Sequence, residues 1–165
     1  MSHIRPYLFL LLLLAAALPS ALSCQSEVRE ANIDQNKYID EYIQSNFADY
    51  EIVHYEGVVR VVLPDSLQPG PTIQQGDSVY LFYAGYTFES SGPVGPFAID
   101  SVTVRVGKGD LLVGLDRGLV GARVGQENLI FFNGQLGYGN HPVGLVGENK
   151  ALMFDVFPAE IKKKQ

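Results

Sequence analysis

The chain has 165 residues and a mass of 18.1 kDa, the size of one ordinary domain with an additional segment. Hydrophobic residues make up 47% of it, which excludes a mainly disordered chain. The formal net charge of −6 gives no electrostatic basis for binding nucleic acid. Nine Tyr, nine Phe and 17 Gly favour sheets and turns over a helical bundle, and a single Cys excludes an internal disulfide.

An apolar stretch at residues 7–18 follows a start whose only charge is Arg5. It is shorter than the roughly 20 residues that a membrane-spanning helix needs. A basic start, an apolar stretch and then small residues form the pattern of a signal peptide, which we predict over residues 1–23. A buried core helix is the alternative, but five consecutive Leu without polar alternation disfavour it.

The only cysteine lies directly after this stretch, in Ala21-Leu22-Ser23-Cys24. This segment resembles the lipobox of bacterial lipoproteins, although Ala21 and Leu22 depart from the usual residues. The resemblance implies that Cys24 carries lipid and anchors an exported protein to a membrane of the cell envelope, on its periplasmic or surface side. A free thiol and an intermolecular disulfide remain alternatives.

Residues 24–70 are interpreted as a lipid-anchored tether, a short helix and a first strand. The polar segment 25–36 is the tether. Ile39, Tyr42, Ile43 and Phe47 have the spacing of one helical face, which we expect to pack onto the domain. Residues 57–63, which are rich in Val, predict a strand that ends at a cluster of Pro and Gly.

The remaining sequence predicts mainly strands. Alternation predicts strands over 78–83 and 102–106, with an exposed loop at 90–96, and two further strands are predicted over 127–132 and 151–157. Asp110 is placed to cap a short helix that carries Leu111, Leu112, Leu115 and Leu119. The fold class is therefore α+β, an antiparallel sheet with a small helix on one face.

Motifs for cofactor, metal and nucleophile chemistry are absent from the sequence. Gly107-Lys108-Gly109 lacks the third glycine of a dinucleotide-binding loop, and there is no phosphate-binding loop motif. His54 and His141 are far apart and have no partner at metal-ligand spacing. No nucleophile elbow occurs, so we expect neither a metal nor a cofactor.

Four segments in order resemble one family, the FKBP-type peptidyl-prolyl isomerases. They are V-Y-L-F-Y-A-G at 79–85, G-L-D-R-G-L-V-G-A-R-V-G at 114–125, L-G-Y-G at 136–139 and A-L-M-F-D-V at 151–156. The resemblance implies an FKBP-like domain over 71–165: an antiparallel sheet wrapped on one short α-helix, here with an N-terminal helical extension. It also implies isomerisation of the bond before proline in peptides or unfolded exported proteins.

The resemblance further implies which residues form the site. The catalytic pocket would consist of Tyr83, Phe97, Leu112, Tyr138 and Phe154. The backbone N–H of Leu112 would bind a substrate carbonyl, and the Tyr138 hydroxyl would bond the peptide. Leu111, Leu115, His141 and Leu145 would add substrate contacts.

Two departures from the family pattern keep other functions open. Ala98 follows Phe97 where the family usually has Asp, and Leu115 stands where a Trp is common. A binding module without useful turnover is the second hypothesis, and a structural lipoprotein with a collapsed pocket is the third. An open cleft at the aromatic residues would favour the first two hypotheses, and side chains that fill it would favour the third.

Overall fold

The computed structural model describes residues 5–64 and 69–163, with side chains from residue 25 onward. In chain order the elements are α1 (Arg5–Asn46), β1 (Glu51–Tyr55), β2 (Val58–Val62), β3 (Ser78–Glu89), β4 (Gly92–Arg105), α2 (Val113–Leu119), β5 (Asn128–Phe132), a 3₁₀ turn (Gly134–Leu136) and β6 (Ala151–Lys162). The predicted α+β class is confirmed.

All of the strands belong to one six-stranded antiparallel sheet in the order β1-β2-β5-β6-β3-β4. Residues directly opposite one another share a face of an antiparallel sheet. Tyr83 lies opposite Val156 and Asp100, while Phe82 lies opposite Phe157 and Ser101. Val156 is fully buried and Phe82 is exposed, so the two faces of β3 differ sharply in burial.

The inner face of the sheet packs against α2. Leu115 and Leu119 of this helix are buried in a core with strand residues such as Leu81, Ile130 and Val156. Gly114 and Gly118 let α2 lie very close to β5, because a Cβ at either position would overlap Phe132 or Ile130. One short helix thus covers the centre of the sheet.

The outer face is partly covered by the C-terminal part of α1. Ile39 and Ile43 are each 2% exposed and pack with Phe88, Phe131 and Met153. The predicted helical face therefore docks on the domain, as its periodicity indicated. The segment 25–36, expected to be a tether, is helical and continuous with this face.

Two local predictions are wrong for identifiable reasons. The segment 90–96 is largely exposed, as expected, but it is no loop, because β4 already begins at Gly92 and pairs Val94 with Thr87. β4 is an edge strand, where Pro93 and Pro96 interrupt no central ladder. Asp110 caps no helix: its carboxylate accepts a hydrogen bond from the N–H of Arg105 at 2.9 Å. α2 begins at Val113, with Leu112 as its N-cap and no side-chain cap.

Arg60 of β2 stabilises the C-terminal end of α2, which no sequence pattern had indicated. Its side chain is buried, and Nη1 donates to the carbonyl oxygens of Gly118 and Val120, both at 2.9 Å. Burial lowers the pKa of Arg60 from its ordinary value, and the nearby charge of Glu51 opposes that shift. A cation at the last carbonyls of a helix is favourable.

Across the residues whose side chains the structure describes, no helix has the length and apolar character needed to cross a membrane. The side chains of residues 1–23, predicted as a signal peptide, and of Cys24, predicted as a lipid attachment site, lie outside the described residues. Both stay predictions.

Candidate functional site

Four aromatic rings meet on the inner side of the sheet beside α2. Tyr83 comes from β3, Phe97 from β4 and Phe154 from β6, and Tyr138 follows the 3₁₀ turn. The centroid of Phe97 lies 5.8 Å from that of Phe154 and 6.3 Å from that of Tyr138, in edge-to-face geometry. Tyr83 lies 6.0 Å from Phe154. We call these four residues the aromatic cluster.

The aromatic cluster has a buried floor and a half-exposed rim. Phe154 and Leu115 are 3% and 2% exposed, so both form part of the core. Tyr83, Phe97 and Tyr138 are partly buried and pack against that core, and so are Leu111 and Leu112. The rim side chains can therefore touch a ligand, whereas Leu115 and Phe154 mainly support them.

Leu112 presents a backbone donor at the start of α2 and packs against the same core as these rings. Its extended conformation (φ −54°, ψ 143°) makes it the N-cap of α2, and its carbonyl accepts from the N–H of Asp116 at 2.9 Å. Asp116 in turn accepts from the N–H of Gly107 at 2.7 Å, which fixes the segment leading into the helix. The N–H of Leu112 donates to no other residue that the structure describes. It can therefore bind a ligand carbonyl.

The hydroxyl of Tyr138 is a donor of the same kind. Burial, followed by the proximity of Tyr83, raises the pKa of Tyr138 above its ordinary value. The phenol is therefore protonated throughout the neutral and mildly basic range. A protonated phenol can donate a hydrogen bond to a peptide carbonyl.

Gly85 of β3 allows two of the rings to approach each other. A Cβ at this position would lie 2.8 Å from Cζ of Phe97 and 2.9 Å from Cε1 of Phe154. Only a residue without a side chain leaves those ring edges in place. Sequence reasoning placed Gly85 in a motif but assigned it no role. It also missed Phe132, which stacks on Phe154 with centroids 5.8 Å apart.

The position directly after Phe97, where the family usually has Asp, carries no carboxylate. Ala98 lies opposite Gly85, and Asp100, two residues further along β4, is exposed and accepts a hydrogen bond from its neighbour Ser101. Asp100 lies opposite Tyr83 in the register. The candidate site therefore rests on hydroxyl and backbone donors and on aromatic walls.

His141 and Leu145 lie on the exposed loop beyond Tyr138. Leu145 is 87% exposed, and His141 is also exposed. Neither packs with the core that carries the aromatic cluster. Among the described residues, no group of His, Cys, Asp and Glu comes together that could hold a metal ion.

A half-exposed aromatic cluster with two neutral donors, built on a sheet and one short helix, defines a class of site suited to an uncharged peptide. The model of the family described as FKBP-type peptidyl-prolyl cis-trans isomerase matches residues 70–157, which is more than half of the chain. This chain therefore belongs to the FKBP-type peptidyl-prolyl cis-trans isomerase family.

Curated relatives agree with this assignment over part of their length. The chain is 36% identical over 101 residues to FK506-binding protein 4 of Chaetomium thermophilum, a match covering 58% of this chain and 20% of the relative. It is 35% identical over 92 residues to Peptidyl-prolyl cis-trans isomerase FKBP9 of Mus musculus, covering 54% and 16%. The chain thus spans about a fifth of the length of these relatives.

A solved structure shares the overall fold. The crystal structure of FkpA from Escherichia coli superposes with a TM-score of 0.58 at 21% identity, covering 98% of this chain and 74% of that chain. The predicted FKBP-like sheet with an N-terminal helical extension is confirmed.

Proposed function

We propose that this chain is a peptidyl-prolyl cis-trans isomerase that assists the folding of exported proteins. The observation that carries the proposal is the aromatic cluster, which packs on the same core as Leu112, a residue whose N–H donates to no described residue. Membership of the family supports the reaction class, and proline-containing peptides are the substrates that it implies. Spontaneous exchange before proline takes tens to hundreds of seconds, slow enough to limit folding.

The site residues act on the electronic structure of the amide. Rotation about the bond before proline must break amide resonance, against a barrier of roughly 18–20 kcal/mol. The twisted amide has less charge separation than the planar one, so a desolvated aromatic site favours the twisted form. Tyr83, Phe97 and Phe154 would surround the proline, while the Leu112 N–H and the Tyr138 hydroxyl would hold carbonyl groups of the peptide. No covalent step is needed.

A binding module without useful turnover is the second candidate. Ala98 leaves the rim without a carboxylate next to Phe97, and the floor carries the aliphatic Leu115. Both features reduce the number of polar contacts that the site can make with a peptide, while apolar contacts with the aromatic rings remain. Saturable peptide binding without any acceleration of exchange would identify this function.

NMR exchange spectroscopy of peptides containing a proline separates the two candidates. The full chain, kept in detergent because of its apolar N-terminal segment, is compared with Tyr138→Phe and with Tyr55→Phe as a matched control on an exposed residue. Removing the hydrogen bond of Tyr138 should lower kcat/KM about tenfold, since such a bond contributes about 1–1.5 kcal/mol. The parent should accelerate exchange and Tyr55→Phe should match it. A folded parent that gives no acceleration contradicts the isomerase.

The proposed location is a bacterial envelope membrane, reached through lipid on Cys24. The basic start, the apolar stretch and the segment Ala21-Leu22-Ser23-Cys24 support it. Intact-mass analysis of the chain expressed in a bacterial host should show a product beginning at Cys24 and carrying acyl chains. Cys24→Ser should remain uncleaved at that site, and a cleaved product with a free thiol or a disulfide-linked dimer would contradict lipidation.

A further inference from the structure

The loop that carries Tyr138 is closed by a side chain from α1, far away in sequence. Gln35 is 8% exposed. Its Oε1 accepts from the N–H of Gly134 at 2.7 Å, and its Nε2 donates to the carbonyl oxygen of Asn149 at 2.6 Å. Gly134 begins the segment that leads to Tyr138, and Asn149 ends the loop that follows it. A single amide therefore joins the two ends of the loop.

Backbone hydrogen bonds complete a ring through the residue that follows Tyr138. The N–H of Asn149 donates to the carbonyl of Gly139 at 2.6 Å, and the N–H of Gly139 donates to the carbonyl of Gly134 at 2.9 Å. With the two bonds of Gln35 this makes a closed ring of four hydrogen bonds. Gly139 follows Tyr138 directly, so the ring fixes the backbone from which the Tyr138 side chain projects.

The backbones of Gly134 and Asn149 lie very close together in this ring, so a change at either residue would disturb it. A Cβ at Gly134 would overlap the backbone of Asn149, and Asn149 itself has a φ of +46°. The next residue of α1, Asn36, accepts from Nδ2 of Asn133 at 3.0 Å, which places a second polar contact beside the first. The Oδ1 of Asn133 in turn caps the 3₁₀ turn through Gln135 and Leu136.

We propose that Gln35 is a positioning residue for Tyr138, so that α1 completes the candidate site from outside the family-matched region 70–157. The catalytic part of this inference rests on the proposed isomerase function. Gln35 touches no substrate; it holds Gly134 and Asn149 together, and through them the backbone at Tyr138. Loss of the amide would leave Tyr83, Phe97 and Phe154 in place but let the Tyr138 side chain leave its position.

The test compares Gln35→Met, which keeps the length of the side chain and removes both hydrogen bonds, with Gln44→Met, the same change at an exposed site on the same helix. Gln35→Met should lower kcat/KM of the full chain about tenfold, since small displacements of a positioned group have effects of this size. Gln44→Met should match the parent. Gln35→Glu keeps an acceptor for Gly134, and its protonated form can also donate to the carbonyl of Asn149, so it should recover part of the loss at acidic pH, which keeps the test usable if Gln35→Met folds poorly.

A double-mutant cycle with Tyr138→Phe tells positioning from a purely structural role. If Gln35 acts through the Tyr138 hydroxyl, Gln35→Met should cost much less in the Tyr138→Phe background than in the parent. An equal cost in both backgrounds, or no cost at all in a folded variant, overturns the proposal.

A measurement independent of catalysis separates this inference from the proposed function. In Gln35→Met the amides of Gly134 and Gly139 should exchange with solvent faster, and the ring signals of Tyr138 should shift, while Gln44→Met leaves both unchanged. If the parent is inactive, the isomerase function fails, and these signals alone decide the positioning role. Unchanged protection at Gly139 would overturn it.

Discussion

At the scale of single residues, the candidate site depends on an absent side chain at one position and on a backbone donor without a partner among the described residues at another. Gly85 has no side chain where Phe97 and Phe154 meet, and Leu112 has a backbone N–H that bonds to no described residue. Tyr138 supplies a neutral hydroxyl whose pKa is raised by burial. These features leave a half-buried apolar surface with unused donors, which suits an amide substrate.

Adding one methyl group at Gly85 should disturb the aromatic cluster. In Gly85→Ala the new Cβ would lie within 2.9 Å of both Phe97 and Phe154, so the rings must move. We expect kcat/KM for proline isomerisation to fall about tenfold and the free energy of unfolding to fall by about 1–2 kcal/mol. Gly147→Ala is the matched control, because its Cβ would meet Lys150 at 3.7 Å, an ordinary contact. Full activity in Gly85→Ala would exclude these rings as the substrate site.

A second residue-scale prediction concerns Asp155 of β6. Burial first, then the charge of Glu127 and a hydrogen bond with it, raise the pKa of Asp155 from 3.8 to about 6. The ionised form is therefore disfavoured in the folded state. Between pH 4 and 6 the unfolded chain releases a proton that the folded chain retains, so stability falls as pH rises through this window and stays lower above it.

Asp155→Asn should therefore stabilise the protein above about pH 6.5 and change little near pH 4. We expect a gain of about 1 kcal/mol at pH 7.5, because partial solvent exposure of the pair screens the interaction. Urea unfolding at both pH values measures it, with the exposed Asp34→Asn on α1 as the control. If Asp155→Asn changed the free energy of unfolding equally at both pH values, the raised pKa of Asp155 would be contradicted.

At the scale of elements, the packing of α2 against β5 depends on Gly114 and Gly118, which lie one turn apart. The helix is only seven residues long and has no side-chain N-cap, so its stability comes from packing rather than from propensity. Arg60 adds hydrogen bonds at its C-terminal end. Leu112 lies at the start of this helix, and its position therefore depends on the contact between α2 and the sheet.

Gly118→Ala sets helix propensity against packing. Alanine should favour the helix by about 1 kcal/mol, but its Cβ would overlap Ile130, and such overpacking costs about 1–3 kcal/mol. We expect a net loss of about 1–2 kcal/mol in urea unfolding. In the Ile130→Ala background the overlapping atoms are gone, so the same change should become neutral or stabilising. Additive effects would show that the two residues are not in steric conflict.

The elements also show which parts of the fold the sequence could predict. Strands with regular alternation, such as Val79-Leu81-Tyr83, were predicted because one face is buried. β4 was predicted too short because Pro93 and Pro96 usually end strands, yet an edge strand tolerates them. The short edge strand β1 was missed, since its side chains are exposed or only partly buried.

The candidate site, like the strands, could be predicted from the sequence only in part. The resemblance named Tyr83, Phe97, Tyr138 and Phe154, which the structure brings together, and also His141 and Leu145, which it leaves exposed. Gln35 could not be found by periodicity, because its contacts with the site loop are polar and more than 90 residues away in sequence. Hydrophobic patterns report apolar faces only.

At the scale of the whole molecule, the sheet is covered on both faces, by α2 on the inner side and by α1 on the outer side. α1 lies outside the family-matched region, yet it contributes buried isoleucines and the Gln35 contact. The described part of α1 is thus structurally integrated with the FKBP-type domain. We infer that residues 38–47 and the sheet unfold together.

Ile43→Ala tests this cooperativity. Ile43 is 2% exposed against Phe88, Phe131 and Met153, and removing its side chain should cost about 2–4 kcal/mol of unfolding free energy. Ile33→Ala is the matched control on the same helix, since Ile33 is 58% exposed and should change stability little. If α1 and the sheet form one unit, helical circular dichroism and the amide signals of β5 and β6 should be lost in one coincident transition, at a lower denaturant concentration in Ile43→Ala. Unfolding of the helix before the sheet, with the sheet transition unchanged in Ile43→Ala, would mean that α1 is a separable attachment whose docking contributes nothing to the stability of the FKBP-type domain.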